Sequence, residues 1–207
     1  MREQIKLKDL LEGHSEEESR LILKKFYDEQ YQNGNYKPPN GRMFWQRFLT
    51  TVPKFSRGLD IGCGIGEGLA LAKNRGYNIF GIDIGNASRH WAENKVKGCC
   101  CVASAIHLPF WNNAFDFVIS NDVLEHIPEW DILTVLKEIY RVASRIVFLI
   151  ISLEYEHEPI DGYIYSHLTV KPQEWWVEKI VESGFKVDQS VLQDSNHHLV
   201  AWLHKGE

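Results

Sequence analysis

The chain predicts an α/β domain built on a mostly parallel sheet with helices on both faces, and three observations lead there. From Arg57 onward, short apolar strands alternate with helical patterns. One strand, RIVFLIIS from Arg145 to Ser152, is an unbroken apolar run of the kind that burial on both faces requires. A glycine turn, LDIGCGIGEG from Leu59 to Gly68, joins the first strand of the series directly to a helix.

Upstream of that series, Ser15 to Tyr31 begins with Glu16, Glu17 and Glu18 and carries Leu21, Leu23, Phe26, Tyr27 and Tyr31. This predicts a helix with Ser15 as N-cap and acids placed to favour its dipole. Turn residues in NGNYKPPNG, Asn33 to Gly41, then break the chain. A second helix is predicted from Arg42 to Thr51, carrying Met43, Phe44, Trp45, Phe48 and Leu49. Residues 1–54 thus read as a helical cap that can fold over a ligand, and residues 55–207 as the core of one compact domain.

In the core, the predicted strands are Arg57 to Ile61, Tyr77 to Asp83, Cys99 to Ala103, Phe115 to Ser120 and Arg145 to Ser152. Helices follow the first strand as far as Arg75, where Gly76 stops the run, and are also predicted from Ala87 to Lys95 and from Trp130 to Val142. Pro172 opens a last helix that ends near Ser183, with Gly184 as its C′ residue. FKVDQSVLQ and HLVAWLH, separated by DSNH, read as two strands joined by a short turn.

At 207 residues the chain suits one domain with a large core. A net charge of −5 makes nucleic acid an unlikely partner, since polyanions bind clustered Lys and Arg. No apolar run reaches the length of a membrane span and the first residues lack a secretory apolar segment, so a cytoplasmic protein without membrane contact is expected. The four cysteines, Cys63 and the run Cys99, Cys100 and Cys101, form no CxxC pair, which argues for reduced thiols and for neither a disulfide framework nor a zinc site. Glu154, Glu156, His157, Glu158 and Asp161 crowd one loop, read as a solvated face, and no metal is expected.

The glycine turn carries the chemistry. Gly62, Gly64 and Gly66 remove the side chains that would hold a ligand away from the backbone, Asp60 stands just ahead of them, and Cys63 lies inside the turn. A dinucleotide fingerprint would need a third glycine where Glu67 stands. The turn instead resembles the first motif of the class I S-adenosylmethionine-dependent methyltransferases, and further matches extend the resemblance from about Phe55 to Leu203. It implies a Rossmann-like seven-stranded sheet whose last strand is antiparallel. It also implies S-adenosylmethionine as cofactor and S-adenosylhomocysteine as product.

The glycine turn upstream favours Asp83, in IFGID, as a ligand of the cofactor's ribose, where a carboxylate could otherwise cap a helix. Similar enzymes carry an acid at or beside Ser104 that contacts the adenine amino group. Here that acid is missing, which leaves adenine to Ser104, Ile84, Ala105, Ile106 and the backbone. SNDVLEHI, Ser120 to Ile127, matches the turn that lines the methionine end of the cofactor and the acceptor pocket. Asn121 leaves the fourth strand there, and His126 can meet the acceptor or anchor the loop. His167, which precedes the last helix, has the same two readings.

The cofactor supplies the difficult chemistry in such a reaction, so the protein must supply alignment and a route for a proton. The expected function is methyl transfer to a small-molecule acceptor, oxygen preferred over nitrogen, with His126 and His167 as candidate bases. Two other readings are carried. A protein or RNA methyltransferase with a partner subunit would turn Phe44, Trp45 and Phe48 outward. A non-catalytic cofactor binder would have a closed site without a pocket beside Asn121 and His126.

Overall fold

The structure is a computed structural model that describes residues 4–34, 42–54, 56–86, 95–156, 159–160, 164–187, 193–195 and 197–205. Strands β1 (Ile5–Lys6), β2 (Arg57–Ile61), β3 (Asn78–Asp83), β4 (Cys100–Val102), β5 (Phe115–Asn121), β6 (Ala143–Ser152), β7 (Ile164–Tyr165), β8 (Gln193–Ser195) and β9 (His198–His204) are joined by five described helices. These are α1 (Glu16–Gln32), α2 (Arg42–Leu49), α3 (Glu67–Asn74), α4 (Glu129–Val142) and α5 (Gln173–Glu182). Short 3₁₀ segments cover Leu7–Leu11 and Leu124–His126.

Seven strands form the main sheet in the order β4-β3-β2-β5-β6-β9-β8. The five from β4 to β6 run parallel, and β9 is antiparallel to both β6 and β8. The order reverses at β2, whose successors lie on one side as β3 and β4 and on the other as β5 and β6. Open α/β sheets bind ligands beyond the carboxyl ends of their strands at such a reversal.

Each face of the sheet is covered by apolar helices. On one, α4 and α5 bury Ile132, Leu136, Ile139, Trp176 and Ile180 against β5 and β6. On the other, α2 drives Phe48 between Phe117 and Phe148, its ring stacked at 5.0 Å on Phe148 and edge-on at 5.3 Å to Phe117. Burial of a side chain of that size contributes about 2–3 kcal/mol. Trp45 and Phe48 therefore point inward, and Phe44 packs at the edge of the same cluster.

The amino-terminal helix follows the sequence pattern closely. Ser15 caps α1 in a capping box, with Ser15 N donating to Glu18 Oε2 at 2.8 Å and Glu18 N to Ser15 Oγ at 3.3 Å. A two-bond pair ties α1 to α4, Arg20 Nε to Asp131 Oδ2 at 3.0 Å and Arg20 Nη2 to Asp131 Oδ1 at 2.6 Å. Leu23 and Phe26 of α1 join Leu7, Leu11 and Ile164 in a small separate core.

Three sequence readings change. Asp194 and Ser195 belong to β8 rather than to the turn, because Ser195 pairs directly with His198. β1 and β7 pair in parallel, Ile5 with Ile164 and Lys6 with Tyr165, so the acid-rich segment after β6 contains a short strand that composition alone read as loop. Glu156 is turned inward and does not form part of a solvated face, for reasons of hydrogen bonding given below. The predicted helix from Ala87 to Lys95 lies outside the described residues except for Lys95, as do His157, Glu158 and Asp161. Among the described residues no helix is long and apolar enough to cross a membrane.

Candidate active site

At the reversal point lies a crevice of about 860 Å³, part of it open to solvent. Gly62, which opens the glycine turn, forms part of its floor. Gly62, Gly64 and Gly66 all adopt positive φ, 72°, 49° and 79°, a region costly for other residues. The amides of Gly62 and Cys63 both donate to the Ile82 carbonyl, at 2.8 and 2.9 Å, which locks the turn against β3. At Gly62 a Cβ would come within 2.3 Å of Val123 Cγ2, so the close approach of the two strand ends requires glycine there.

Asp83, at the tip of β3, is the most engaged acid of the crevice. Its Oδ2 accepts from Gly64 N at 2.9 Å and from the Tyr31 hydroxyl at 3.2 Å, and its Oδ1 accepts from Gly85 N at 2.9 Å. Asp60 is a contrast: it is buried and makes no hydrogen bond or ion pair among the described residues. Burial, reinforced by the nearby Asp83 charge, pushes its carboxyl well above the usual range.

Gly62, Asp83, Ile84, Ser104, Ala105 and Ile106 line the crevice, as does His126. Asp60, Cys63, Gly64, Gly66 and Asn121 lie behind this wall and shape it. Asn121 does so by donating from Nδ2 to Asp122 Oδ2 at 2.8 Å, which orients a carboxylate that does line the cavity. Residues that the sequence reading did not assign to the site complete the wall: Leu23, Tyr27 and Tyr31, read only as the apolar pattern of a capping helix, with Arg20 beside them on α1 and Asp131 on α4.

His126 and His167 come together. Their ring centroids are 4.7 Å apart at 81°, with His126 on the crevice wall and His167 behind it. Ser166 lies beside both. Its hydroxyl donates to Glu156 Oε1, and His126 Nδ1 is 3.1 Å from that Oγ and 3.3 Å from the Ser166 carbonyl. The Ser166 proton is committed to Glu156 and a carbonyl can only accept, so the network assigns the hydrogen to His126 Nδ1. His167 Nδ1 is 2.6 Å from the Glu154 carbonyl and is a donor by the same reasoning. Both rings then carry their lone pairs on Nε2.

Glu156 organises this corner, accepting from Ser166 N at 2.6 Å and from His167 N at 3.1 Å. Burial works against its charge, but His167 and the Ser166 hydroxyl outweigh burial and hold the carboxyl below the usual range. Burial also keeps the His126 imidazole neutral, down to about 4, with His167 adding to the effect. Next to it, Glu125 is fully buried. Its Oε1 accepts from Ser152 N at 2.9 Å while Oε2 has no hydrogen-bond partner, and burial raises its carboxyl well above the usual range.

Comparison with known proteins agrees with this geometry. Residues 59–151 match the family model described as a methyltransferase domain. Over that stretch the chain resembles a methyltransferase domain. A demethylmenaquinone methyltransferase of Bacillus licheniformis is 37% identical over 103 residues, which is 46% of this chain and 44% of that protein. The chain spans about half the length of the curated relatives it matches.

Two solved structures share the fold of the methyltransferase domain. The PH0226 protein of Pyrococcus horikoshii has a TM-score of 0.68 at 20% identity, over 86% of this chain and 95% of that one. The 1,6-didemethyltoxoflavin-N1-methyltransferase of Burkholderia thailandensis, with 1,6-didemethyltoxoflavin and S-adenosylhomocysteine bound, has a TM-score of 0.70 at 16% identity, over 93% and 91% of the two chains.

Proposed function

We propose that this domain transfers a methyl group from S-adenosylmethionine to a small-molecule acceptor, with oxygen preferred over nitrogen. The observation that carries the reading is the extent of the crevice. It runs from the glycine turn and Asp83 past the end of β5 to Asp122, His126 and Asp131, which leaves room beyond a cofactor for a second molecule. A non-catalytic binder needs no such extension. The inward packing of Trp45 and Phe48 removes the apolar patch that a partner-dependent enzyme would present on α2.

The residues present suit the cofactor. Asp60 is a buried carboxyl close to the turn with no cationic partner among the described residues, and the cofactor's amino-acid portion brings an ammonium group. On this reading Asp83, which lines the crevice, accepts from the ribose hydroxyls, and Ile84, Ala105 and Ile106, with the Ser104 hydroxyl, form a mainly apolar wall for the base. When bound, the sulfonium supplies an electrophilic methyl group.

What remains for the protein is to exclude water, align the acceptor and take its proton. α1 covers the crevice with Leu23, Tyr27 and Tyr31, anchored by the Arg20–Asp131 pair. His126 offers Nε2 as a base, while His167, Ser166 and Glu156 fix its ring and its tautomer. A hydroxyl acceptor needs that base, whereas a neutral amine attacks without one, hence the preference for oxygen. The likeness to a demethylmenaquinone methyltransferase supports a small acceptor.

Calorimetry with S-adenosylhomocysteine tests the cofactor assignment, with a dissociation constant of about 1–10 µM expected. Transfer of a labelled methyl group to a panel of hydroxylated aromatics and of amines tests the acceptor. Absence of heat with the cofactor product, or transfer to amines alone, would contradict the corresponding part of the reading.

A further inference from the structure

Where His126 meets the crevice, it and the residues Glu125 and His167 behind the wall each bring one ligating atom to within 4.8 Å of the others. Two adjacent residues of the 3₁₀ segment after β5 supply a carboxylate and an imidazole, and the segment after β7 brings the second imidazole to them. Ligands on a tetrahedral zinc ion at about 2.0–2.2 Å stand roughly 3.3–3.5 Å from one another. Small side-chain rotations therefore close this cluster onto one ion.

Two independent features point to a ligand here. Glu125 Oε2 is fully buried without a hydrogen-bond partner. Such an atom is costly to leave unmatched and is expected to find a cation or a donor. Both imidazoles, moreover, are held at Nδ1, which leaves Nε2 free to ligate. His126 Nδ1 faces the Ser166 carbonyl at 3.3 Å and its hydroxyl at 3.1 Å, and His167 Nδ1 faces the Glu154 carbonyl at 2.6 Å. Metal-ligating histidines characteristically donate their other N–H to a carbonyl or carboxylate, which fixes the tautomer and aims the lone pair. Glu156, 3.8 Å from His167 Nδ1, adds negative charge behind the pair.

We propose that Glu125, His126 and His167 form a binding site for one first-row transition-metal dication, zinc being the best fit to two imidazole nitrogens and one carboxylate oxygen. Hard oxygen-seeking cations such as magnesium are disfavoured by the two nitrogens. With one wall on the crevice, the ion would keep its remaining position toward the acceptor side, where Asp122 also lies. The His126 Nε2 that the metal-free chain offers to an acceptor would then be a ligand, so the two roles exclude each other at any one moment.

The test needs neither cofactor nor acceptor and so stands apart from the proposed activity. Chelator-stripped full-length chain is titrated with cobalt(II) and with zinc against a competing chromophoric chelator, with magnesium as control. One equivalent of cobalt should bind tighter than about 10 µM, with visible absorption and no sulfur-to-cobalt charge-transfer band, which separates the site from Cys63 and the Cys99–Cys101 run. Glu125→Gln and His167→Gln should each weaken binding by about 10-fold or more, with thermal unfolding still cooperative. The wild-type titration is decisive on its own: no equivalent bound below about 100 µM, or a charge-transfer band typical of thiolate, overturns the proposal. Binding unchanged in a folded His167→Gln variant does so as well.

Discussion

The Tyr31 hydroxyl reaches across from α1 to donate to Asp83 Oδ2 at 3.2 Å. The carboxylate assigned to the cofactor's ribose is thus already engaged by the helix that covers the crevice. Ribose binding must displace this bond or share the oxygen with it.

Tyr31→Phe leaves the ring in place and removes the competitor. Because a hydrogen bond of this kind contributes about 0.5–1.5 kcal/mol, S-adenosylhomocysteine should bind about 2-fold to 10-fold more tightly to the variant. Calorimetry on both proteins checks this, and weaker binding would mean that the hydroxyl helps to hold the ligand.

Asp83→Ala should weaken cofactor binding by about 2–4 kcal/mol through two lost charge-assisted bonds. The same change leaves the Gly64 and Gly85 amides without their acceptor, so the melting temperature should also fall. A fall in stability with unchanged affinity would assign Asp83 to scaffold alone.

Asp60 makes stability depend on pH in a defined direction. Its folded-state pKa lies above the unfolded value, so its contribution is complete below about pH 4 and is lost as pH rises toward the folded pKa. Asp60→Asn should therefore raise the melting temperature of the cofactor-free protein at neutral pH. That advantage should vanish in acid, and thermal scans across the pH range read it directly.

Gly62→Ala meets both a positive φ and a Cβ 2.3 Å from Val123 Cγ2. Backbone strain alone costs about 1–3 kcal/mol. Adding Val123→Ala should recover only the part due to the collision, so the double variant should melt between the single Gly62 variant and the native chain.

Ser166→Ala removes the hydroxyl between Glu156 and His126 without touching the crevice wall. S-adenosylhomocysteine affinity should stay within about 2-fold while turnover falls about 10-fold or more, the lower part of the range for a positioned base. Equal losses in both measurements would mark the serine as a loop anchor.

Much of this was legible in the chain itself. Alternating strands and helices, and the apolar run of β6, yield the sheet because local pattern and burial agree there. The glycine turn locates the crevice because positive φ leaves a sequence signature. The wall supplied by α1 was visible only as periodicity. Arg20, Leu23, Tyr27 and Tyr31 fall on one helical stripe, but the stripe gives no hint of which surface it meets. Glu156, Ser166 and the two histidines are joined by folding of a segment without local periodicity, and an acid-rich composition says nothing about which acid turns inward.

The parallel pairing of β1 with β7 joins Ile5 to Ile164, residues separated by most of the chain. Closing so long a loop carries an entropic cost that is recovered only after the main sheet has brought its ends together. The corner that holds Glu156, Ser166 and His167 is tethered to this late contact. During refolding, the glycine-turn floor should assemble first and the acceptor side last. A refolding chain should recover cofactor binding before it recovers turnover, and the interval between the two would time the docking of its own first residues.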